Sequence, residues 1–385
     1  MLLYIHIPFC RRKCRYCGFV SFENRINEAE AYFRNILKEA ELRRDEFSEP
    51  VETLYIGGGT PSVVPAETMA GFLHSFCRDL IPHPLREATI EANPGTLKET
   101  WLHAVQEEGI NRLSIGMQTS SPKLLKTLGR IHEQDEVILS VETARRCGFH
   151  NLNLDLIFGI PGQTMTDWKK TLQDALELKP EHISMYGLIP EEGTPMWSDL
   201  EKGVLQLPDP ELERDMYDYG TELLAANGFR QYEISNYARP GYECVHNTGY
   251  WKQIPYVGLG VSASSMTRLI KKEQGMTYER RKNPDTFGEY LYMIESGGTV
   301  QCEKDRITEK EARFETVMLS LRMNEGLDEK GFRRMHHISF SELYMEKLSL
   351  FESKGLMIHE NGRWRLTRRG MDIQNRILVE LMEDG

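Results

Sequence analysis

No run of about 18 residues in this chain lacks a charged side chain, which leaves no candidate for a membrane-spanning helix. Nor is there an excess of positive charge. The formal net charge is −11, and neutralising a phosphate backbone needs a basic face, so nucleic acid is not an expected partner. Two local clusters, "RRKCR" and "ERRKN", read as solvated patches. The opening run "LLYIHI" has no basic leader and no small-residue cleavage site, so neither a signal nor a transit peptide is expected, and the expected location is the cytoplasm. Cysteine is scarce and odd in number, at seven. Cys77, Cys147, Cys244 and Cys302 are scattered, which excludes a disulfide framework and implies buried thiols in a reducing compartment.

What is present is a repeated rhythm. A short apolar run, a turn with glycine or proline and a helical stretch recur six times, at "LLYIHI", "ETLYIGGGTP", "EATIEANP", "NRLSIGMQ", "NLNLDLIFGIPGQT" and "HISMYGLIP". Such alternation predicts α/β architecture with parallel strands and right-handed crossovers. An open doubly wound sheet and a partly closed barrel both satisfy it. In every unit the unusual residues follow the strand's C-terminal end: the first cysteines, Gly57 to Thr60, Glu91, Gln118, Asp155 and Tyr186. Ends that converge on one mouth favour the barrel, here an incomplete six-stranded (β/α)6 TIM-like one over residues 1–200.

Beyond it the pattern changes. Residues 201–305 read as a connecting region packed on the barrel: a helix at 209–228, "FRQYEISNYA" as a strand, "PGYECVHNTGYW" as an aromatic-rich loop and "YVGLGVSASSM" as a strand. Residues 306–385 read as a smaller, mostly helical domain with three helical stretches. Asn361-Gly362 predicts a type I′ hairpin there, which suggests a winged-helix-like module acting as a lid or packing domain.

Cys10, Cys14 and Cys17 form C-x3-C-x2-C on one predicted loop. Thiolates so spaced can converge on a metal centre. A structural zinc site would normally add a fourth Cys or His nearby, yet position 19 is Phe and the next cysteine is Cys77. Three ligands suit a [4Fe–4S] cube with one iron left open, and unliganded thiols are the plainer alternative. Glu91 and Asp155 are acids at the ends of apolar strands, where an unpaired charge is costly. A salt bridge to an interior arginine such as Arg130 would account for them without any ligand.

The cysteine spacing, with Tyr16 before Cys17, resembles the signature of the radical S-adenosylmethionine (SAM) superfamily. "YIHIPFCRRKCRYCGF", "YIGGGTPS", "SIGMQ", "LGRIH", "LDLIFGIPGQT" and "CVHNTGYW" together resemble the branch of oxygen-independent coproporphyrinogen III oxidases and the related HemW heme-chaperone group, over nearly the whole chain. The resemblance implies that Cys10, Cys14 and Cys17 hold the cluster, that Tyr4, Gly58 and Glu91 contact SAM, and that Glu91 keeps it at the open iron. Tyr16, Gly59, Thr60, Gln118, Arg130, Asp155 and Ile189 match a second SAM site of the oxidases. Those oxidases carry a fourth cysteine where this chain has Phe19, and a long extension where this chain has nine residues before Cys10. Both departures resemble the HemW group.

"HNTGYW" fits that group's H-N-x-x-Y-W pattern. By resemblance His246 would be a heme ligand, with Tyr250 a weaker candidate, Trp251 against the porphyrin face and Asn247 orienting the loop. Taken alone, a histidine among aromatics reads as a packed core residue. Cys244 reads as a thiol near that site, and His336-His337 as an exposed helix end. The expectation is therefore a chaperone that binds a [4Fe–4S] cluster, SAM and heme and passes heme to an acceptor protein such as a respiratory, membrane-associated hemoprotein. The alternatives are coproporphyrinogen oxidation or another radical reaction on a tetrapyrrole.

Overall fold

The computed structural model describes residues 1–47, 49–81, 84–269, 277–296 and 303–383; Cys302 lies outside them. All six runs read as units contain strands. These are β1 (Leu2–Ile7), followed by the two-residue strands β2 (Phe9–Cys10) and β3 (Phe22–Glu23), then β4 (Thr53–Gly58), β5 (Glu87–Ala92), β6 (Arg112–Gln118), β7 (Leu152–Phe158) and β8 (His182–Gly187). The six long strands lie parallel in the order β1-β4-β5-β6-β7-β8. Between them run α1 (Ala29–Leu42), α2 (Ala66–Leu80), α3 (Glu99–Glu107), α4 (Pro122–Leu128), α5 (Gln134–Arg146) and α6 (Met165–Glu177). After β8 come α7 (Pro195–Glu201) and α8 (Pro210–Ala226).

Period-2 alternation gives the parallel strands two different faces. Leu3, Ile5, Leu54, Ile56, Leu113 and Leu154 join one apolar core with the surrounding helices. The alternate positions are polar on strand after strand: Tyr4, Tyr55, Glu91, Ser114, Asp155 and Ser184. A sheet covered by helices is normally apolar on both sides. The polar face is therefore where chemistry has to be sought.

The sheet is extended at both edges, and here the structure corrects the sequence reading. "FRQYEISNYA" is not one strand but an antiparallel hairpin of β9 (Arg230–Glu233) and β10 (Asn236–Ala238), bulged at Asn236, of which β10 pairs antiparallel with β8. The expected aromatic loop is a helix, α9 (Val245–Trp251). "YVGLGVSASSM" divides into β11 (Tyr256–Leu259), parallel to β1, and β12 (Ser264–Leu269), which returns antiparallel. The break falls where Gly260 (φ 97°) and Ser262 (φ 59°) turn the chain. Strands β13 (Thr277–Lys282) and β14 (Glu303–Ile307) complete a twelve-stranded sheet, with α10 (Phe287–Glu295) between them in sequence.

A carboxylate pins this extension. Glu39 of α1 has no solvent exposure and accepts from Arg43 Nη1 (2.9 Å), Asn283 Nδ2 (2.8 Å), the Gly260 N–H (2.9 Å) and the Tyr290 hydroxyl (2.7 Å). Removing one partner of such a buried charge network leaves the others uncompensated. Glu39→Ala is expected to lower unfolding stability by about 3–5 kcal/mol, read as a fall in the urea midpoint at unchanged slope.

The C-terminal segment has its own apolar core, which includes Val317, Phe332, Phe340, Phe351, Trp364 and Leu381. Its order is α11 (Glu309–Leu321), β15 (Leu327–Asp328), α12 (Glu329–His336), α13 (Phe340–Ser353), β16 (Met357–Glu360), β17 (Arg363–Leu366), α14 (Arg368–Asp372) and α15 (Gln374–Glu383), five helices where three were expected. Asn361 (φ 53°) and Gly362 (φ 74°) both take the left-handed conformation that a type I′ turn requires. His336 is not exposed: it is 5% accessible and its Nε2 meets Thr316 Oγ1 at 2.9 Å. His337 (φ 58°) ends the helix.

Candidate functional site

Cys10 ends β2, immediately beyond β1, and Cys14 and Cys17 follow on a loop that curls over the strand ends. Distant chain holds that loop. The Arg15 N–H donates to the Leu128 carbonyl (3.0 Å), the Met196 N–H donates to the Arg15 carbonyl (2.9 Å), and the Arg15 guanidinium pairs with Asp199. Gly129 (φ 76°) faces this loop, and a side chain there would meet Arg15 Cγ at 2.7 Å. Within the loop the Cys17 N–H donates to the Cys14 carbonyl (3.3 Å). All three cysteines are free thiols and half-buried. Burial pushes the pKa values of the Cys10 and Cys17 thiols upward.

They border an open cavity of about 720 Å³ at the C-terminal ends of the six parallel strands. Of the residues named from the sequence, Tyr16, Gly58, Gly59, Thr60, Glu91, Gln118, Arg130, Asp155 and Ile189 line the same cavity as the cysteines. Tyr4 lies just beneath it, with its hydroxyl 3.0 Å from His6 Nδ1 and its ring stacked on Tyr55 at 6.3 Å. Phe19 and Ile189, 67% and 74% exposed, give the mouth an apolar rim.

Arg130 does not neutralise the acids through an ion pair, which sets aside the plain salt-bridge account. Its Nη1 donates to Asn93 Oδ1 (2.7 Å) and its Nη2 to the Tyr16 hydroxyl (2.9 Å). Asn93 Nδ2 in turn donates to Thr60 Oγ1 (3.0 Å), which lies 3.6 Å from Cys10 Sγ. A belt of polar contacts thus runs from the first cysteine to the residue before the third. Glu91 accepts from the Tyr55 hydroxyl (2.8 Å) and the Gly58 N–H (3.1 Å). Burial first, and the negative charge of Asp155 second, raise its pKa to about 7. Asp155 accepts from Ser114 (2.9 Å) and Asn153 (2.9 Å), and burial raises its pKa too.

Glycine is obligatory at the end of β4. A Cβ on Gly57 would lie 2.8 Å from the Glu91 carboxyl, and one on Gly59 would meet the Phe9 and Ile7 carbonyls at 2.7 and 2.8 Å. Gln118 takes φ 64° at a register shift in β6, an unusual conformation for a residue with a side chain. The sequence reading missed Tyr55, Asn93 and Ser114. Their signal was the alternation itself, since Tyr55 is two residues before Gly57, Ser114 two before Gly116, and Asn93 follows "EA" at the end of β5.

The thiol set fits an iron–sulfur cube better than a single ion. Among the described residues no group of three or more His, Cys, Asp or Glu side chains closes on one metal ion. The ligands of one zinc must all sit about 2.3 Å from it, whereas the cysteines of a cube each take a different iron. The raised pKa of Glu91 beside Asp155, in a cavity without a paired cation, fits the ammonium and sulfonium charges of SAM.

The residues expected to meet heme lie elsewhere. His246, 1% exposed, sits beneath the cavity with Nδ1 2.8 Å from Thr53 Oγ1 and Nε2 2.9 Å from the Tyr250 hydroxyl. Both nitrogens are engaged, so in this arrangement His246 has none to offer a heme iron. Burial and the Arg112 charge lower its pKa to about 3, so the ring is neutral. Tyr250 packs edge-on against Tyr256 at 4.8 Å, and Asn247 Nδ2 donates to Glu233 (3.0 Å) and more distantly to the Tyr232 hydroxyl (3.3 Å). Trp251 is half-buried with its indole N–H unpartnered. Cys244 is buried, 3.3 Å from Glu87 Oε1.

This sheet, with three loop thiols at its C-terminal ends, defines a protein of the radical SAM class. The model of the radical SAM superfamily matches residues 4–175, and that of the HemN C-terminal domain matches residues 307–373. The chain belongs to the HemW heme-chaperone family: it is 33% identical over 382 residues to heme chaperone HemW of Lactococcus lactis, across 99% of this chain and 97% of that one. The Bacillus subtilis heme chaperone HemW is 35% identical, with 97% of each chain covered. A bovine mitochondrial radical S-adenosyl methionine domain-containing protein 1 is 30% identical over 99% of this chain and 87% of its own. The solved structure of Escherichia coli coproporphyrinogen III oxidase, HemN, shares the fold at a TM-score of 0.81 and 23% identity, across 99% of this chain and 89% of that one.

Proposed function

We propose that this protein is a heme chaperone that carries a [4Fe–4S] cluster on Cys10, Cys14 and Cys17, holds SAM in the adjoining cavity, binds heme and hands it to an acceptor protein. The observation that carries the reading is the full-length similarity to the Lactococcus lactis heme chaperone. The cavity supplies the chemistry. Bound there, cluster and SAM would provide one-electron chemistry at a sulfonium. The protein's part is to hold and orient: Glu91, fixed by Tyr55 and the Gly58 N–H, takes the amino group of SAM, and Asp155 adds negative charge deeper in the cavity. The belt from Arg130 through Asn93 to Thr60 keeps the cysteine loop in register with β4.

Lining residues drawn from β4 to β8 and from the cysteine loop that follows β1 support an incomplete barrel over residues 1–200, because in a flat sheet the two outer members of that set would stand too far apart to share one cavity. The helix, strand, helix, helix, hairpin order beyond residue 306 supports a winged-helix-like packing domain, with residues 201–305 as the connection. We place the protein in the cytoplasm with a respiratory, membrane-associated hemoprotein as acceptor; among the described residues no helix is long and apolar enough to cross a membrane.

The test is anaerobic reconstitution with iron and sulfide followed by three assays on one sample. Heme titration is expected to give a Soret band that saturates at a fixed ratio of heme to protein. Coproporphyrinogen III is expected to give no protoporphyrinogen IX. Decarboxylated product at multiple turnovers would replace the chaperone reading with the oxidase one.

A further inference from the structure

The segment "HNTGYW" forms α9, and its place in the fold gives it work that a heme-contacting loop would not have. Its N-terminus is held by Glu87 at the start of β5, which accepts from the Val245 N–H (2.8 Å) and the His246 N–H (2.9 Å). Gly249 lies on Leu2 at the start of β1, where a Cβ would meet a leucine methyl carbon at 2.6 Å. The helix therefore closes the end of the sheet opposite the cysteines. Thr53, Tyr55 and Gly57 occupy successive alternate positions of β4 and share the face that points at it. Thr53 holds the His246 ring at Nδ1. Tyr55 lies between that ring, 5.3 Å away, and the Tyr4 ring, 6.3 Å away, and its hydroxyl reaches Glu91. Glu91 fills the space left by Gly57.

We infer that α9 backs the Tyr55 floor of the SAM cavity, and that His246 is a positioning residue which holds Tyr55 so that the Tyr55 hydroxyl orients Glu91. The inference rests on the reading that Glu91 takes the amino group of SAM, and goes beyond it by giving the HNxxYW segment a task in that site. The floor is rigid because His246 is anchored at both nitrogens and its ring cannot turn without breaking one contact. Glu91 is faced by the Tyr55 hydroxyl and Gly58 N–H of β4, by Asp155 of β7, by Arg130 beyond α4 and by Tyr4 of β1. Of these, Tyr55 is the one whose ring packs on His246 and whose hydroxyl bonds Glu91 directly. Its hydrogen bond favours the carboxylate, so losing it moves the Glu91 titration upward.

The test uses full-length protein reconstituted anaerobically, with Tyr55→Phe, His246→Ala and the double variant compared. SAM affinity is measured from pH 6 to 8, and the Glu91 carboxyl is followed by ¹³C NMR in SAM-free protein. Each single variant is expected to move the Glu91 midpoint upward and to weaken SAM binding at pH 7 by about tenfold, the scale of one hydrogen bond to a charged group. The double variant is expected to be no weaker than the worse single one, because both changes break the same link. If His246→Ala fails to fold, His246→Gln removes the ring while keeping polar contact with Thr53 and Tyr250, and carries the same expectation. A His246 variant with the wild-type Glu91 titration and SAM profile, or a double variant whose losses add, overturns the inference. Glu91→Gln serves as the reference: if it binds SAM as the wild type does, the reading of Glu91 fails, and that result is separate from any shift of the carboxyl caused by His246.

Discussion

Serine in place of Cys10, Cys14 or Cys17 is expected to abolish the brown charge-transfer absorbance of the reconstituted protein and to cut its iron content from about four per chain to near zero. SAM binding should weaken by at least about 100-fold, because the open iron is lost together with its ligand set. The fold should survive. Loop contacts at Arg15 to Leu128, Met196 and Asp199 are made by backbone and by an ion pair rather than by the thiols. The far-ultraviolet circular dichroism of the variants is therefore expected to match that of the metal-free wild type. A variant that keeps the absorbance would remove that cysteine from the ligand set.

Glu91→Gln should have two effects of opposite sign. In the wild type, SAM affinity is expected to strengthen as pH rises through about 7, since the ionised carboxylate is the form that holds a cation and its pKa is raised to about 7. The amide removes that pH dependence and weakens binding by about 10–100-fold at pH 8, and its single oxygen cannot fill both acceptor places now taken by Glu91. Stability without ligand moves the other way. A carboxyl whose pKa is higher folded than unfolded contributes stability fully below the unfolded value, and that contribution disappears as pH rises through the folded one. At pH 8 the wild type therefore carries a buried charge that the Gln variant lacks. The variant should then resist urea better by up to roughly 3 kcal/mol, and near pH 4 the two should converge. Equal midpoints at both pH values would show that Glu91 titrates normally.

Much of this architecture could be read from the chain because its signals are local. Six parallel strands carry short apolar runs with Gly or Pro after them, and the polar residues that follow each strand end are those lining the cavity. What escaped was set at long range. The α9 segment contains Asn, Thr and Gly, poor helix formers, yet it is helical because a carboxylate from the start of β5 accepts from two of its first N–H groups. Nothing within ten residues of His246 announces Glu87. The hairpin of β9 and β10 was masked by a two-residue break at Ile234 and Ser235, and β11 was run into β12 because small residues hid a turn. His336 looked like a surface helix end because its partner, Thr316, belongs to a helix one strand earlier. The alternation that places Tyr55 and Ser114 is visible in the sequence, but they sit at inward positions below the strand ends, without the glycine or proline that marks those ends.

The way the cysteine-bearing loop is pegged has a bearing on how the protein matures. Because α4 and the start of α7 grip it from outside, the polypeptide can reach its working shape before any iron arrives. Building the centre then becomes a matter of delivery, and a molecule stripped by oxygen can be refitted without being remade.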